Sequence, residues 1–212
     1  MTASSSSSPS RPEGGAGAPP VAVIACGALA GAVRSVAARR GWAVELHPLS
    51  ALLHDRPERI APAVARLAGE LRRDGRRVAV AYADCGTYGA LDEVCSAEGL
   101  ERLPGLHCYD LLAGPETVRQ LLEEEPGTYL LTDFLVGSFT RTVVAELGLD
   151  RYPDLVGDYF AHYRRVVWLS EGPTPRLEAE AAAIADRLGL PLTTLVVGRS
   201  RLERALGRLV EG

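Results

Sequence analysis

Three cysteines of this chain stand where a thiol can do chemistry. Val21-Ala22-Val23-Ile24-Ala25 runs into Cys26-Gly27, and Val78-Ala79-Val80 leads to Asp84-Cys85-Gly86-Thr87. Short apolar runs of this kind predict strands buried on both faces, and a predicted helix follows each. Ligands of open α/β sheets gather beyond the carboxyl ends of the strands, so Cys26 and Cys85 are expected at such an edge. A helix N-terminus favours negative charge and lowers a thiol pKa. Gly27 and Gly86 let the backbone turn and a ligand come close. Cys108, in Gly105-Leu106-His107-Cys108-Tyr109, lies on a loop able to reach the same edge. Three thiolates with His107 or His54 make a soft donor set, suited to zinc or an iron–sulfur cluster. Gly27, Gly86 and Thr87 are then the positions expected to border a bound cofactor.

Plainer readings stand beside this one. Cysteine often serves as a small buried hydrophobe, and no C-x-x-C pair is present. Cys95 falls at an apolar position of a predicted helix and is assigned to the core. Structural disulfides are not expected in a cytosolic chain. His54-Asp55-Arg56-Pro57-Glu58 precedes a helix. It is either a solvated helix start, or a site where Arg56 holds a carboxylate or phosphate and His54 acts as base or ligand. Asp133 follows a predicted strand and either caps the next helix or faces the site. The catalytic candidates are therefore His54, Arg56, Asp84 and Asp133. His47 and His162 are read as structural.

The chain has 212 residues, with 23 basic and 27 acidic side chains and a net charge of -4. Every basic residue is arginine, and asparagine is absent as well. A P-loop lysine, a Schiff-base lysine and an Asn-linked glycosylation acceptor are thereby excluded. The charge balance gives no basic footprint for nucleic acid. No apolar run approaches the roughly 20 residues of a membrane span, and the start lacks the basic and apolar regions of a signal peptide. The expectation is a soluble, cytoplasmic protein. Residues 1–20 are rich in Ser, Pro, Gly and Ala and read as a disordered tail; residues 21–212 read as one domain.

Strands are predicted at Val21–Ala25, Trp42–His47, Arg77–Tyr82, Tyr129–Thr132, Arg165–Leu169 and Leu192–Val197. The helices fall after Gly27 as far as Arg40, then at Pro57–Arg73, near Leu91–Cys95, and at Glu116–Glu124, Ser138–Leu147, Arg176–Leu188 and Arg201–Val210. Alternating strands and helices imply a three-layer α/β fold, with a mainly parallel sheet covered on both faces. The two strand–Cys-Gly–helix units are also similar to each other, which composition or an internal duplication explains.

Several motifs, taken together and in order, resemble the domain of unknown function 1638 family of bacteria and archaea. They are Ala25-Cys26-Gly27-Ala28-Leu29, Leu53-His54-Asp55-Arg56-Pro57-Glu58, Tyr82-Ala83-Asp84-Cys85-Gly86-Thr87, Pro104-Gly105-Leu106-His107-Cys108-Tyr109, Leu131-Thr132-Asp133-Phe134-Leu135, Leu147-Gly148-Leu149-Asp150 and Tyr159-Phe160-Ala161-His162-Tyr163. The resemblance spans about residues 21–198. It implies that Cys26, Cys85 and Cys108 are recurrent family cysteines, and that a corrinoid-dependent methyltransferase system is a partner. Three functions follow as expectations. One is a zinc or iron–sulfur protein in or around methyl transfer. Another is a metal-free enzyme using Cys26 and Cys85 as paired acid/bases, as in two-cysteine racemases, although their Asn-Thr after the first Cys is missing. The third is a non-catalytic partner of a methyltransferase.

Overall fold

The computed structural model describes residues 19–212; the tail expected at residues 1–20 lies almost wholly outside them. Strands β1 (Val21–Cys26), β2 (Val44–Leu49) and β3 (Val78–Ala81) form a parallel sheet in the order β2-β1-β3. Strands β4 (Thr128–Thr132), β5 (Arg165–Ser170) and β6 (Leu192–Val196) form a second one, in the order β4-β5-β6 and again parallel throughout. The expected parallel α/β architecture is present, with its six strands shared between two sheets of three.

Strand order explains helix placement. β1 to β2 and β2 to β3 step in opposite directions, so right-handed crossovers send their helices to opposite faces. Accordingly α1 (Ala30–Arg40) packs beside the C-terminal α9 (Ser200–Glu211), and α2 (Ile60–Arg73) beside α3 (Ala90–Glu98). In the second sheet both steps run the same way. There α6 (Asp133–Phe139) and α8 (Pro175–Leu188) lie side by side, while α4 (Cys108–Leu112) and α5 (Pro115–Glu124) cover the other face. β5 shows the two-residue period of a strand buried on both sides. Val166 and Trp168 point into one core, Val167 and Leu169 into the other.

Two segments matter for the site. The chain from Glu101 to Leu106 runs beside β3 and its extension. Val80 N donates to Glu101 O, Leu103 N to Val80 O, Asp84 N to Gly105 O at 3.1 Å and Cys85 N to Leu106 O at 2.7 Å. It delivers Cys108 to the edge where Cys85 lies. The helix expected at Ser138–Leu147 instead begins at Asp133, capped by the Thr132 hydroxyl, which accepts from Leu135 N. It widens into a π turn at Thr140–Val144. Ser138 and Thr142 each return a hydroxyl to a backbone carbonyl one turn earlier, a bond that bends helices. A short α7 (Val156–Tyr159) completes the set, and among the described residues no helix is long and apolar enough to cross a membrane.

Candidate functional site at the carboxyl edge of the first sheet

β1 and β3 are neighbours, so Cys26 at the end of one and Cys85 just beyond the other meet at the point where strand order reverses. Both thiols are buried. The backbone around them leaves little freedom. A Cβ on Gly27 would stand 2.6 Å from Leu49 O and 2.8 Å from Ala51 N. Only glycine lets the turn after β2 come so close, and that turn carries the next residue of the site. At Ala51–Asp55 the chain forms a single 3-10 turn, started by the Ser50 hydroxyl. It aims His54 at the thiols: Nε2 lies 3.7 Å from Cys26 Sγ, while Nδ1 is 2.7 Å from Ala51 O.

That carbonyl fixes the tautomer. A carbonyl oxygen only accepts, so Nδ1 carries a proton and donates; Nε2 faces the sulfurs, donating to them while it holds a proton and open to a ligand once that proton leaves. Hydrogen bonding to the Cys26 and Cys85 sulfurs outweighs burial and pushes the His54 imidazole up to about 11. Cys108 lines the same cavity as His54. Burial drives its thiol well above the ordinary range, with Cys85 and Cys26 adding to the effect. Below them lies Tyr82, fully buried and stacked on His54 at 6.4 Å between ring centroids. Its hydroxyl has no hydrogen-bond partner. Burial and then the nearby Cys26 and Cys85 charges raise its phenol beyond the usual range.

Cys85 itself adopts a left-handed backbone, φ 54°, which costs a non-glycine residue about 1–3 kcal/mol. Asp84 holds that turn. Its carboxylate accepts from the Thr87 hydroxyl at 2.6 Å, from Tyr88 N at 3.1 Å and from Gly89 N at 3.0 Å. Burial works against its charge, but these donors prevail and keep the carboxyl below its usual range. Gly86, at φ 83°, rests against Pro57. Asp84, Gly86 and Thr87 thus build the loop that presents Cys85.

Other sequence candidates are placed elsewhere. His107 is exposed at the start of α4, stacked on Tyr109 with ring centroids 6.3 Å apart. Asp110 accepts from Leu106 N and His107 N and locks this cap, so His54, not His107, is the imidazole among the thiols. Arg56 is exposed and makes no ion pair among the described residues. Asp133 does not cap its helix, since Thr132 does. Its carboxylate accepts from Trp168 Nε1 at 2.8 Å and Glu171 N at 3.1 Å, tying β5 to α6. Cys95 is buried in α3 as expected. Cys26 and Cys85 come from adjacent strands of one sheet.

A cavity of about 240 Å³ opens beside the thiols, between the two sheets. His54, Ala28 and Leu52 form one wall; Thr132, Phe134 and Leu135 form the other, with Cys108 between them. Sequence reasoning missed this second wall and Tyr82. The signals for Tyr82 were its place at the end of a predicted strand, ahead of the Asp84-Cys85 turn, and within one of the motifs that carry the family resemblance. Among the described residues no three His, Cys, Asp or Glu side chains stand ready-assembled as a metal centre.

Comparison with known proteins gives one family. The model described as Protein of unknown function (DUF1638) matches residues 49–206, a range that takes in His54, Cys85 and Cys108 but starts after β1 and Cys26. No curated protein matches, and neither does any solved structure.

Proposed function

The chain belongs to the DUF1638 family of proteins of unknown function, and from its thiol edge we propose that it binds a soft transition metal, zinc or an iron–sulfur cluster, through Cys26, Cys85 and Cys108 with His54. The observation that carries this is the pairing of His54 Nε2 with Cys26 Sγ while Ala51 O holds Nδ1. Protein ligands of this kind are oriented by the same hydrogen bond. The donor chemistry fits: three sulfurs and one imidazole nitrogen, with no oxygen ligand among them. The orphaned Tyr82 hydroxyl beside Cys26 fits too, since a metal-bound thiolate accepts hydrogen bonds that a thiol accepts poorly. The donors are not drawn together in the chain alone, so binding has to turn the thiols inward. When bound, the metal supplies Lewis acidity or cluster chemistry at the cavity wall. The chain's own contribution is to orient His54, keep water from Cys26 and Cys85, and leave Cys108 and His54 facing the cavity. A corrinoid methyltransferase system as partner rests on the family resemblance and on no side chain of this site.

Burial argues against the competing reading, in which the thiols act directly as acid and base. Cys26 is 0% exposed, and reactive cysteines are reachable by substrate. The test is metal per chain after anaerobic purification, and again after reconstitution with zinc or with iron and sulfide. Wild type and Cys95→Ser should retain metal. Cys26→Ser, Cys85→Ser, Cys108→Ser and His54→Ala should lose most of it. Wild type that stays metal-free under both regimes overturns the proposal and leaves the thiol acid/base reading.

A further inference from the structure

On the far side of the first lobe, α9 carries Arg201, Arg204 and Arg208 in one exposed row. Their spacing of three and four residues puts them on a single helix face. The opposite flank is satisfied internally: Glu203 pairs with Arg39 and Arg40, and Leu202, Leu206 and Leu209 enter the core. The three arginines, by contrast, meet no carboxylate among the described residues. Acidic groups outnumber basic ones in this chain, and 11 of its arginines form ion pairs among those residues. Three neighbouring guanidinium groups without a counter-charge repel one another, and a bound anion removes that repulsion.

The row is not a flat surface. It forms one wall of a groove of about 380 Å³, whose other wall is Pro104, Leu111 and Pro115. One acid lines it, Asp110, whose Oδ2 accepts from the amides of Leu106 and His107; it forms no ion pair with the arginine row. Guanidinium forks match phosphate oxygens two at a time. Positions 201 and 208 stand two turns apart, about 10 Å along the axis, which suits linked phosphoryl groups better than a single one. The volume lies in the range of small-ligand sites. With a net charge of -4, the molecule as a whole repels a long polyanion, while a compact one feels mainly the local row. We infer that this groove is a binding site for a small ligand bearing a diphosphate group.

Inorganic pyrophosphate is the probe, titrated calorimetrically into the full chain at low and at physiological salt. Saturable binding is expected, weakened roughly tenfold or more in Arg204→Gln and in Arg208→Gln, with thermal midpoints unchanged because both side chains are exposed. Arg66→Gln, on α2, is the control and should bind as wild type does. The inference is overturned if pyrophosphate gives no saturable binding at millimolar concentration, or if the two variants bind as tightly as wild type. Duplex DNA or an acidic peptide binding more tightly than pyrophosphate, with the same dependence on Arg204 and Arg208, overturns it in favour of a macromolecular partner. None of these readouts depends on metal at the thiol edge.

Discussion

Gly27 is where a missing side chain shapes the site. Its Cα faces two backbone atoms of the turn after β2, Leu49 O and Ala51 N, and backbone cannot swing aside as a flexible side chain can. Gly27→Ala therefore overpacks the edge. A loss of about 2–3 kcal/mol is expected, measured by urea unfolding at neutral pH. The same shift carries Ala51 and His54 away from Cys26, so metal content should fall along with stability. A variant as stable as wild type would mean the turn is looser than its contacts imply. The residues of this edge divide in their legibility. Cys26 and Cys85 could be read because a β-branched run followed by Cys-Gly marks a strand end. Which histidine joins them could not, because His54 and His107 both sit in loops, and only the tertiary path decides. The Ser50-capped turn points His54 inward, whereas the Asp110-locked cap leaves His107 in solvent.

At the scale of an element, the turn after β3 depends on the Asp84 carboxylate more than on its sequence neighbours. One carboxylate satisfies the Thr87 hydroxyl and two amides, and so holds Cys85 in its left-handed conformation. Asp84→Asn keeps the shape but exchanges an acceptor-only group for one that also donates. It should cost about 1–2 kcal/mol at pH 7. The sign of the pH dependence follows from the carboxyl being held below its usual range. A group with a depressed folded pKa stabilises above its unfolded value, near 4, and that contribution fades as pH falls further. Wild type should thus lose stability below about pH 4 more steeply than Asp84→Asn, measured as unfolding midpoints from pH 6 to pH 2. Parallel slopes would show that Asp84 is not ionised in this role. The elements themselves were largely legible. Apolar runs located all six strands, and α2, α5 and α8 were located as well, α2 by helical spacing with Pro57 at its first turn. The π turn at Thr140–Val144 was not, since an apolar helix reads the same in sequence whether its hydroxyls return to the backbone or not.

Across the whole molecule, sequence order says which elements exist but not which strands touch. The long passage from β3 to β4 hides a change of sheet. No local signal marks it, because α3 and α5 look like the crossover helices of one continuous sheet. What joins the two lobes is α9, which leaves β6 and packs on the first core, and the residue just before it. Arg199 pairs through Nε with Glu171, beyond β5, and donates through a terminal nitrogen to the Ser35 hydroxyl on α1 at 2.8 Å. The Glu171 side chain is 8% exposed. Burial raises its carboxyl above the usual range, with Asp133 adding to this and Arg199 opposing it. Removing the guanidinium leaves a buried carboxylate beside Asp133 with nothing to oppose burial. Arg199→Ala should therefore cost about 2 kcal/mol at pH 7, less than a wholly enclosed pair because Arg199 itself is 33% exposed. A group with a raised folded pKa stabilises below its unfolded value, and that benefit is lost as pH rises. The deficit of Arg199→Ala relative to wild type should accordingly grow from pH 4 to pH 7, and Glu171→Gln added to it should recover part of the loss. Hydrogen exchange supplies the spatial readout: amides of β5 and of the loop before α8 should exchange faster in Arg199→Ala, while those of β1 and β3 keep their protection. If the deficit is independent of pH, or Glu171→Gln deepens it, the contact is not the latch between the lobes and the core face of α9 alone holds them together.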